Sequence, residues 1–115
     1  MRLLLVKTGV QFTIISPGGF RILRALDVAS KLLGYDITIT SACDGEHSGP
    51  GDPHHLGRAY DIRCHDVPDK QHLWITVANL LADVDPGKFY SFIEDIDTPN
   101  EHIHIQVRHG LEITC

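Results

Sequence analysis

The sequence predicts an α+β domain in which a small, mostly antiparallel sheet carries two main helices. Segments 20–33 and 73–81 repeat apolar residues at helical spacing, and at least four short segments alternate with period two. The last two of these are joined by a polar turn and not by a helix, which disfavours continuous parallel βαβ winding. At 115 residues, 43% hydrophobic and 22% charged, the composition is that of one globular domain spanning 1–115.

The first seven residues hold an apolar stretch, Leu3-Leu4-Leu5-Val6, too short for a signal-peptide core; it reads as a first strand. Phe12–Ser16 reads as a short strand broken by Pro17-Gly18-Gly19. From Phe20 to Leu33, Phe20, Ile22, Leu23, Leu26, Val28, Ala29, Leu32 and Leu33 form a helical stripe, and Gly34 supplies the stop. Asp36–Ser41 is β-branched and alternating, hence a strand. Residues 44–55 hold three glycines, two prolines and three histidines, a composition that forms neither helix nor strand and predicts a long functional loop. Ala59–Cys64 alternates again, with Tyr60 and Ile62 on one face and Ala59, Asp61 and Arg63 on the other. Asp66-Val67-Pro68-Asp69 resembles a helix start, and Leu73, Trp74, Val77, Ala78, Leu80 and Leu81 make the stripe of a helix ending before Asp85, with Trp74 in the core. Lys88–Ile93 is a strand, 95–100 a polar turn, and Glu101–Arg108 the last strand.

Ten Lys and Arg against fifteen Asp and Glu give a net charge of −5, and no basic stripe is visible, so nucleic acid is not an expected partner. No apolar run approaches the ~20 residues of a bilayer span, so no membrane partner is expected either. A monomer made in the cytoplasm is the expectation. Cys43, Cys64 and Cys115 contain no C-x-x-C; they read as free thiols, with a Cys43–Cys64 bridge left open should their strands lie side by side. Eight histidines are the compositional oddity, and their positions carry the chemistry.

On the last strand Ile103, Ile105 and Val107 point one way, and His102, His104, Gln106 and Arg108 the other. The two imidazoles then stand about 7 Å apart, one able to ligate a metal while the other stands over whatever the metal binds. Taken alone, His-x-His also describes a solvent-facing polar strand. In the middle of the chain, Asp61 stands within a strand near His54, and a carboxylate planted there needs a partner or a cation. Arg63 or a backbone amide is one such partner; a metal ion is another. Together, two imidazoles and a carboxylate make the N₂O set that catalytic zinc sites use, leaving the fourth position to water. Glu101, three residues before His104, could act on that water only if the strand begins at His102, because strand parity otherwise turns it away.

His54-x-x-Gly57-x-Ala59-x-Asp61 followed by Glu101-His102-x-His104 resembles the zinc peptidases of the M15 type, the D-Ala-D-Ala carboxypeptidases and endolysin L-alanyl-D-glutamate endopeptidases of the hedgehog/DD-peptidase fold. The resemblance spans roughly residues 36–108. It implies one Zn²⁺ held by His54, Asp61 and His104, with Glu101 as general base and His102 steadying the oxyanion. The substrate it implies is the peptidoglycan stem peptide, reached after release in the manner of a phage lysis enzyme. Family members commonly carry Ser-Gly-x-Arg after the strand preceding the loop; here that stretch is Ser41-Ala42-Cys43-Asp44. Arg58, Arg63 and Arg108 are the candidates to replace the missing arginine as substrate-binding groups. The remaining histidines, His47, His55, His65, His72 and His109, have no role in the pattern, with His47 in the loop as the first exception. The competing expectation is a non-catalytic, hedgehog-like interaction module in which zinc holds the fold or a partner-binding face together; three ligands and not four argue against it.

Overall fold

The computed structural model describes residues 2–43, 54, 56–65 and 67–108. The elements are β1 (Leu4–Val6), α1 (Pro17–Leu33), β2 (Ile37–Ser41), β3 (Ala59–Arg63), α2 (Lys70–Val84), β4 (Phe89–Glu94) and β5 (His102–Val107). They form an α+β domain whose five-stranded sheet has the order β1-β2-β3-β5-β4. Only β1 and β2 pair in parallel, and α1 is their crossover; the other three pairings are antiparallel. The loop expected at 44–55, with Asp44, His47 and His55, lies, apart from His54, outside the described residues, as do Asp66, His109 and Cys115.

Alternation in the strands decides which face is covered. Ile37 and Ile39, Tyr60 and Ile62, and Ile103, Ile105 and Val107 are all buried. Ile22, Leu26 and Ala29 of α1 and Leu73, Val77 and Leu81 of α2 complete this core from the helices. Trp74 is half-buried against it and donates its indole N–H to Ser91 Oγ at 2.8 Å. Phe20 and Leu32, part of the expected apolar stripe, are exposed instead. The helices occupy the apolar side of the sheet, so the opposite side of β3, β5 and β4 is left to polar and aromatic groups.

Two local expectations change. Phe12–Ser16 is not a strand, and the helix starts at Pro17, not at Phe20. Proline is tolerated at the first helical position because its missing N–H would have had no partner there. Ser16 is the cap; its Oγ accepts from the Gly19 N–H at 3.0 Å and donates to the Gly57 carbonyl at 2.9 Å. The two glycines are therefore a point of close approach. A Cβ on Gly19 would meet the Gly57 carbonyl oxygen at 2.0 Å, and Gly57 itself has φ +69° with the Ile14 carbonyl pressed against it. Gly57 N–H in turn donates to the His54 carbonyl at 3.1 Å, so the start of α1 braces the turn that carries His54.

Cys43 and Cys64 are buried thiols that form no disulfide with each other. Cys43 donates to the Ile14 carbonyl at 3.4 Å, and Cys64 faces Glu101 Oε1 at 3.8 Å.

Because backbone and not a movable side chain stands in the way, Gly19→Ala should destabilise the fold by about 2–3 kcal/mol, within the range of overpacking penalties. Urea denaturation checks it: the midpoint should fall with the slope unchanged.

Candidate metal centre

The antiparallel register of β3 against β5 sets Asp61 directly across from His104, and Arg63 across from His102. Cross-strand partners share a face, with Cβ atoms about 5 Å apart. On the other side of β5, β4 places Phe92 beside His104 and Glu94 beside His102. His54 arrives from the braced turn before β3 and is 3% exposed. A register irregularity in β2 between Ile39 and Ser41 frees Thr40, whose hydroxyl donates to the Asp61 carbonyl at 3.3 Å.

These elements bring His54, Asp61 and His104 together as the sequence expects. Each offers a ligand atom within 4.8 Å of the others, a grouping that could hold a metal ion. His104 Nδ1 is 3.0 Å and His54 Nε2 3.4 Å from Asp61 Oδ1. His102 Nε2 is 3.8 Å from Asp61 Oδ2 and 3.2 Å from Glu94 Oε1. The aromatic rings of Phe92 and His104 lie 5.0 Å apart, forming an apolar wall on the β4 side.

The outer nitrogen of every one of these rings settles its tautomer. His54 Nδ1 is 3.0 Å from the Ala42 carbonyl oxygen, His102 Nδ1 2.7 Å from that of Asn100, and His104 Nε2 2.7 Å from Gln106 Oε1. Gln106 uses its amide nitrogen on the Val107 carbonyl at 3.3 Å, which leaves Oε1 as the acceptor. Carbonyl oxygens only accept, so each outer nitrogen donates, and in the neutral ring the lone pair sits on the inner nitrogen. All three inner nitrogens face carboxylate oxygens. Lone pair against lone pair is unfavourable, most of all around Asp61, His54 and His104 where the side chains are largely buried, so these contacts call for a proton or a cation. Carbonyl acceptors behind metal-ligating imidazoles are the usual second layer of such sites.

Electrostatics point the same way. Burial alone would raise the Asp61 pKa, but hydrogen bonds from His104 and His54 and the charges of His54 and His102 hold it well below the usual carboxylate range. Burial opposes charge on His104, yet hydrogen bonds to Asp61 and Gln106 and the charges of Asp61 and Glu94 raise its pKa above the ordinary value. His102 is raised likewise: burial works against it, and the Asn100 carbonyl, Asp61 and Glu94 outweigh burial. Among the described residues no lysine or arginine pairs with Asp61 or Glu94.

Glu101 is not brought to this cluster. The strand does begin at His102, but the Glu101 side chain turns to the α2 side and is 4% exposed. It accepts from Lys70 Nζ at 2.7 Å and from the Asp97 N–H at 2.8 Å. The Lys70 hydrogen bond, above all, holds its pKa below the ordinary value, which makes it a weak base. Glu94 takes the position beside the cluster that the sequence gives to Glu101. Its signal lies in the alternation of Tyr90, Phe92 and Glu94 against Phe89, Ser91 and Ile93, but only the β4–β5 register reveals which histidine it meets. Gln106 was visible on the histidine face, though its orienting role was not; the Ala42 carbonyl has no side-chain signal at all.

The three candidate arginines separate. Arg58 donates to the Arg108 carbonyl at 3.2 Å, and the Arg108 guanidinium stands 5.7 Å from the centre of the Tyr90 ring. Arg63, with Lys7, His65, Glu101 and His102, lines a cleft of about 340 Å³ that meets the cluster at His102. Comparison with protein-family models, with curated proteins and with solved structures gives no match.

The raised histidines set a pH dependence. With metal chelated, protonated His102 and His104 stabilise the fold fully below the ordinary histidine range, and that contribution is lost as pH rises through their raised folded values. Melting temperature measured with chelator should therefore fall as pH rises above the ordinary histidine range of about 6.5. Added Zn²⁺ should raise it most at the alkaline end, where no proton competes for the ring nitrogens. A melting temperature that rises with pH under chelation, or that zinc leaves unmoved at every pH, contradicts this.

Proposed function

We propose that the protein is a zinc-dependent peptidase acting on peptidoglycan stem peptides, of the M15 kind that its motifs resemble. One observation carries the reading: His54 Nε2 and His104 Nδ1, both fixed with lone pairs inward, converge on one oxygen of Asp61, whose other oxygen faces His102 at the border of a cleft. The donor set is the borderline-soft N₂O combination that suits zinc. When bound, Zn²⁺ supplies Lewis acidity and a water acidified towards a pKa of ~7.

The chain's own residues divide the remaining work. The Ala42 carbonyl and Gln106 hold the two ligating rings in orientation. Glu94, whose side chain is 43% exposed and touches His102 Nε2, is the proton acceptor within reach, in place of the Glu101 carboxylate bound to Lys70. His102 faces the reacting carbonyl from the same edge and would steady charge on its oxygen. Arg63 and Lys7, lining the adjoining cleft, offer cationic partners for a substrate carboxylate, the role of the arginine absent from the Ser41–Asp44 stretch. Phe92, 38% exposed, gives the substrate an apolar wall.

The burial of Glu101 against Lys70 favours a second reading, the non-catalytic zinc-binding module. Digestion of purified peptidoglycan, followed by mass spectrometry of the fragments, separates the two. The peptidase reading expects released amino groups that fall about 10²–10³-fold in His102→Ala and Glu94→Gln with zinc retained. Glu101→Gln should instead lower the melting temperature by several degrees and leave turnover per folded molecule nearly intact. A zinc-loaded chain that releases nothing selects the module.

A further inference from the structure

Asp61 meets the first centre through one oxygen only. Oδ1 faces His54 and His104, while Oδ2 faces a different ring, His102, at 3.8 Å. Glu94 Oε1 lies 3.2 Å from that same His102 nitrogen. Asp61, Glu94 and His102 each offer an atom within 4.8 Å of the others, a second grouping that shares Asp61 with the first. We propose that this grouping is a second divalent-cation position, bridged to the first by the two oxygens of Asp61. It rests on the reading of His54, Asp61 and His104 as the first metal centre.

Three features of the structure support it. The sheet itself builds the position: Glu94 and His102 are cross-strand partners on β4 and β5, and Asp61 reaches them from β3, so three adjacent strands fix the donors. The His102 ring is set for ligation, since its Nδ1 donates to the Asn100 carbonyl at 2.7 Å and its Nε2 lone pair is turned towards both carboxylates. Finally, among the described residues the two carboxylates have no lysine or arginine partner. The described partners of Glu94 are His102 and His104 alone, whereas Glu101, elsewhere in the fold, is given Lys70.

The two positions differ in chemistry. The first has two nitrogens and one oxygen from side chains that are nearly all buried. The second has one nitrogen and two oxygens, with the Glu94 side chain 43% and the His102 side chain 18% exposed. Zn²⁺ should therefore fill the first position first and the second at higher concentration, with water completing its coordination. A carboxylate-bridged pair places the ions about 3.5–4 Å apart. Occupation of the second position engages His102 Nε2 and Glu94, the groups that the peptidase reading uses on substrate, so excess zinc acts as an inhibitor.

Equilibrium dialysis against buffered free Zn²⁺, with the metal content per chain measured by mass spectrometry, tests the proposal. The wild-type chain should bind one ion and then a second at tenfold or higher free zinc, while Glu94→Gln and His102→Gln stop at one. Circular dichroism establishes that both variants are folded. The surface histidines could also collect ions, so the chain is loaded with two equivalents of Co²⁺ and its electron paramagnetic resonance recorded. A bridged pair gives a magnetically coupled signal that Glu94→Gln abolishes. A wild-type plateau at one ion, a second ion retained equally by Glu94→Gln, or an uncoupled two-cobalt spectrum overturns the second position and leaves the first standing. A chain that takes two coupled ions but never hydrolyses peptidoglycan removes the peptidase reading and leaves the pair standing.

Discussion

The pairing of β3 with β5 is the constraint from which the site follows. Asp61 and His104 lie far apart in sequence and become neighbours only because Tyr60 with Ile105 and Ile62 with Ile103 lock the register from the core side. All four of those side chains are fully buried. A one-residue slip of β5 would move Ile103 and Ile105 to the polar side and His104 into the core, so hydrophobic burial enforces the placement of the polar groups. The same register, extended to β4, brings Glu94 to His102. The most polar part of the molecule is thus positioned by its least polar part.

Charge is distributed unevenly across the two faces of β5. On the helix side Glu101 is satisfied by Lys70, the Asp97 N–H and the Cys64 thiol, a closed arrangement that ties the turn at 95–100 to the start of α2. On the open side, among the described residues, the Asp61 and Glu94 carboxylates pair with imidazoles, each held by a carbonyl acceptor behind it. Imidazoles can exchange a proton for a metal ion near neutral pH, whereas a lysine cannot. His102, with its exchangeable proton, and Glu101, paired permanently with Lys70, both border the adjoining cleft.

Much of this was legible in the sequence, for physical reasons. Period-two alternation in His102–Val107 and Ala59–Arg63 identified the buried and polar faces of both strands, because burial on one side leaves an unambiguous pattern. The His54, Asp61 and His104 grouping was legible through the resemblance of its two motifs to a known family; strand alternation alone left open which of His102 and His104 would ligate. The last strand was expected from Glu101 and begins at His102; one residue of backbone decides the direction of the Glu101 side chain, and its partner Lys70 comes from another element. Glu94 carries no local mark; its role depends on the turn length between β4 and β5, which sets the register. Pro17-Gly18-Gly19 looked like a break because glycine and proline usually interrupt structure. Here they begin a helix, since the backbone of Gly57 needs the space that a Cβ on Gly19 would fill.

Zinc K-edge X-ray absorption on the chain loaded with one equivalent of Zn²⁺ tests the central claim most directly, because it reads the donor atoms around the ion. The account predicts two imidazole nitrogens and a carboxylate oxygen at roughly 2.0–2.2 Å, with the imidazole multiple-scattering signature lost from one ring in His104→Ala. A shell made only of water-like oxygens, or an imidazole count that His104→Ala leaves unchanged, would contradict it.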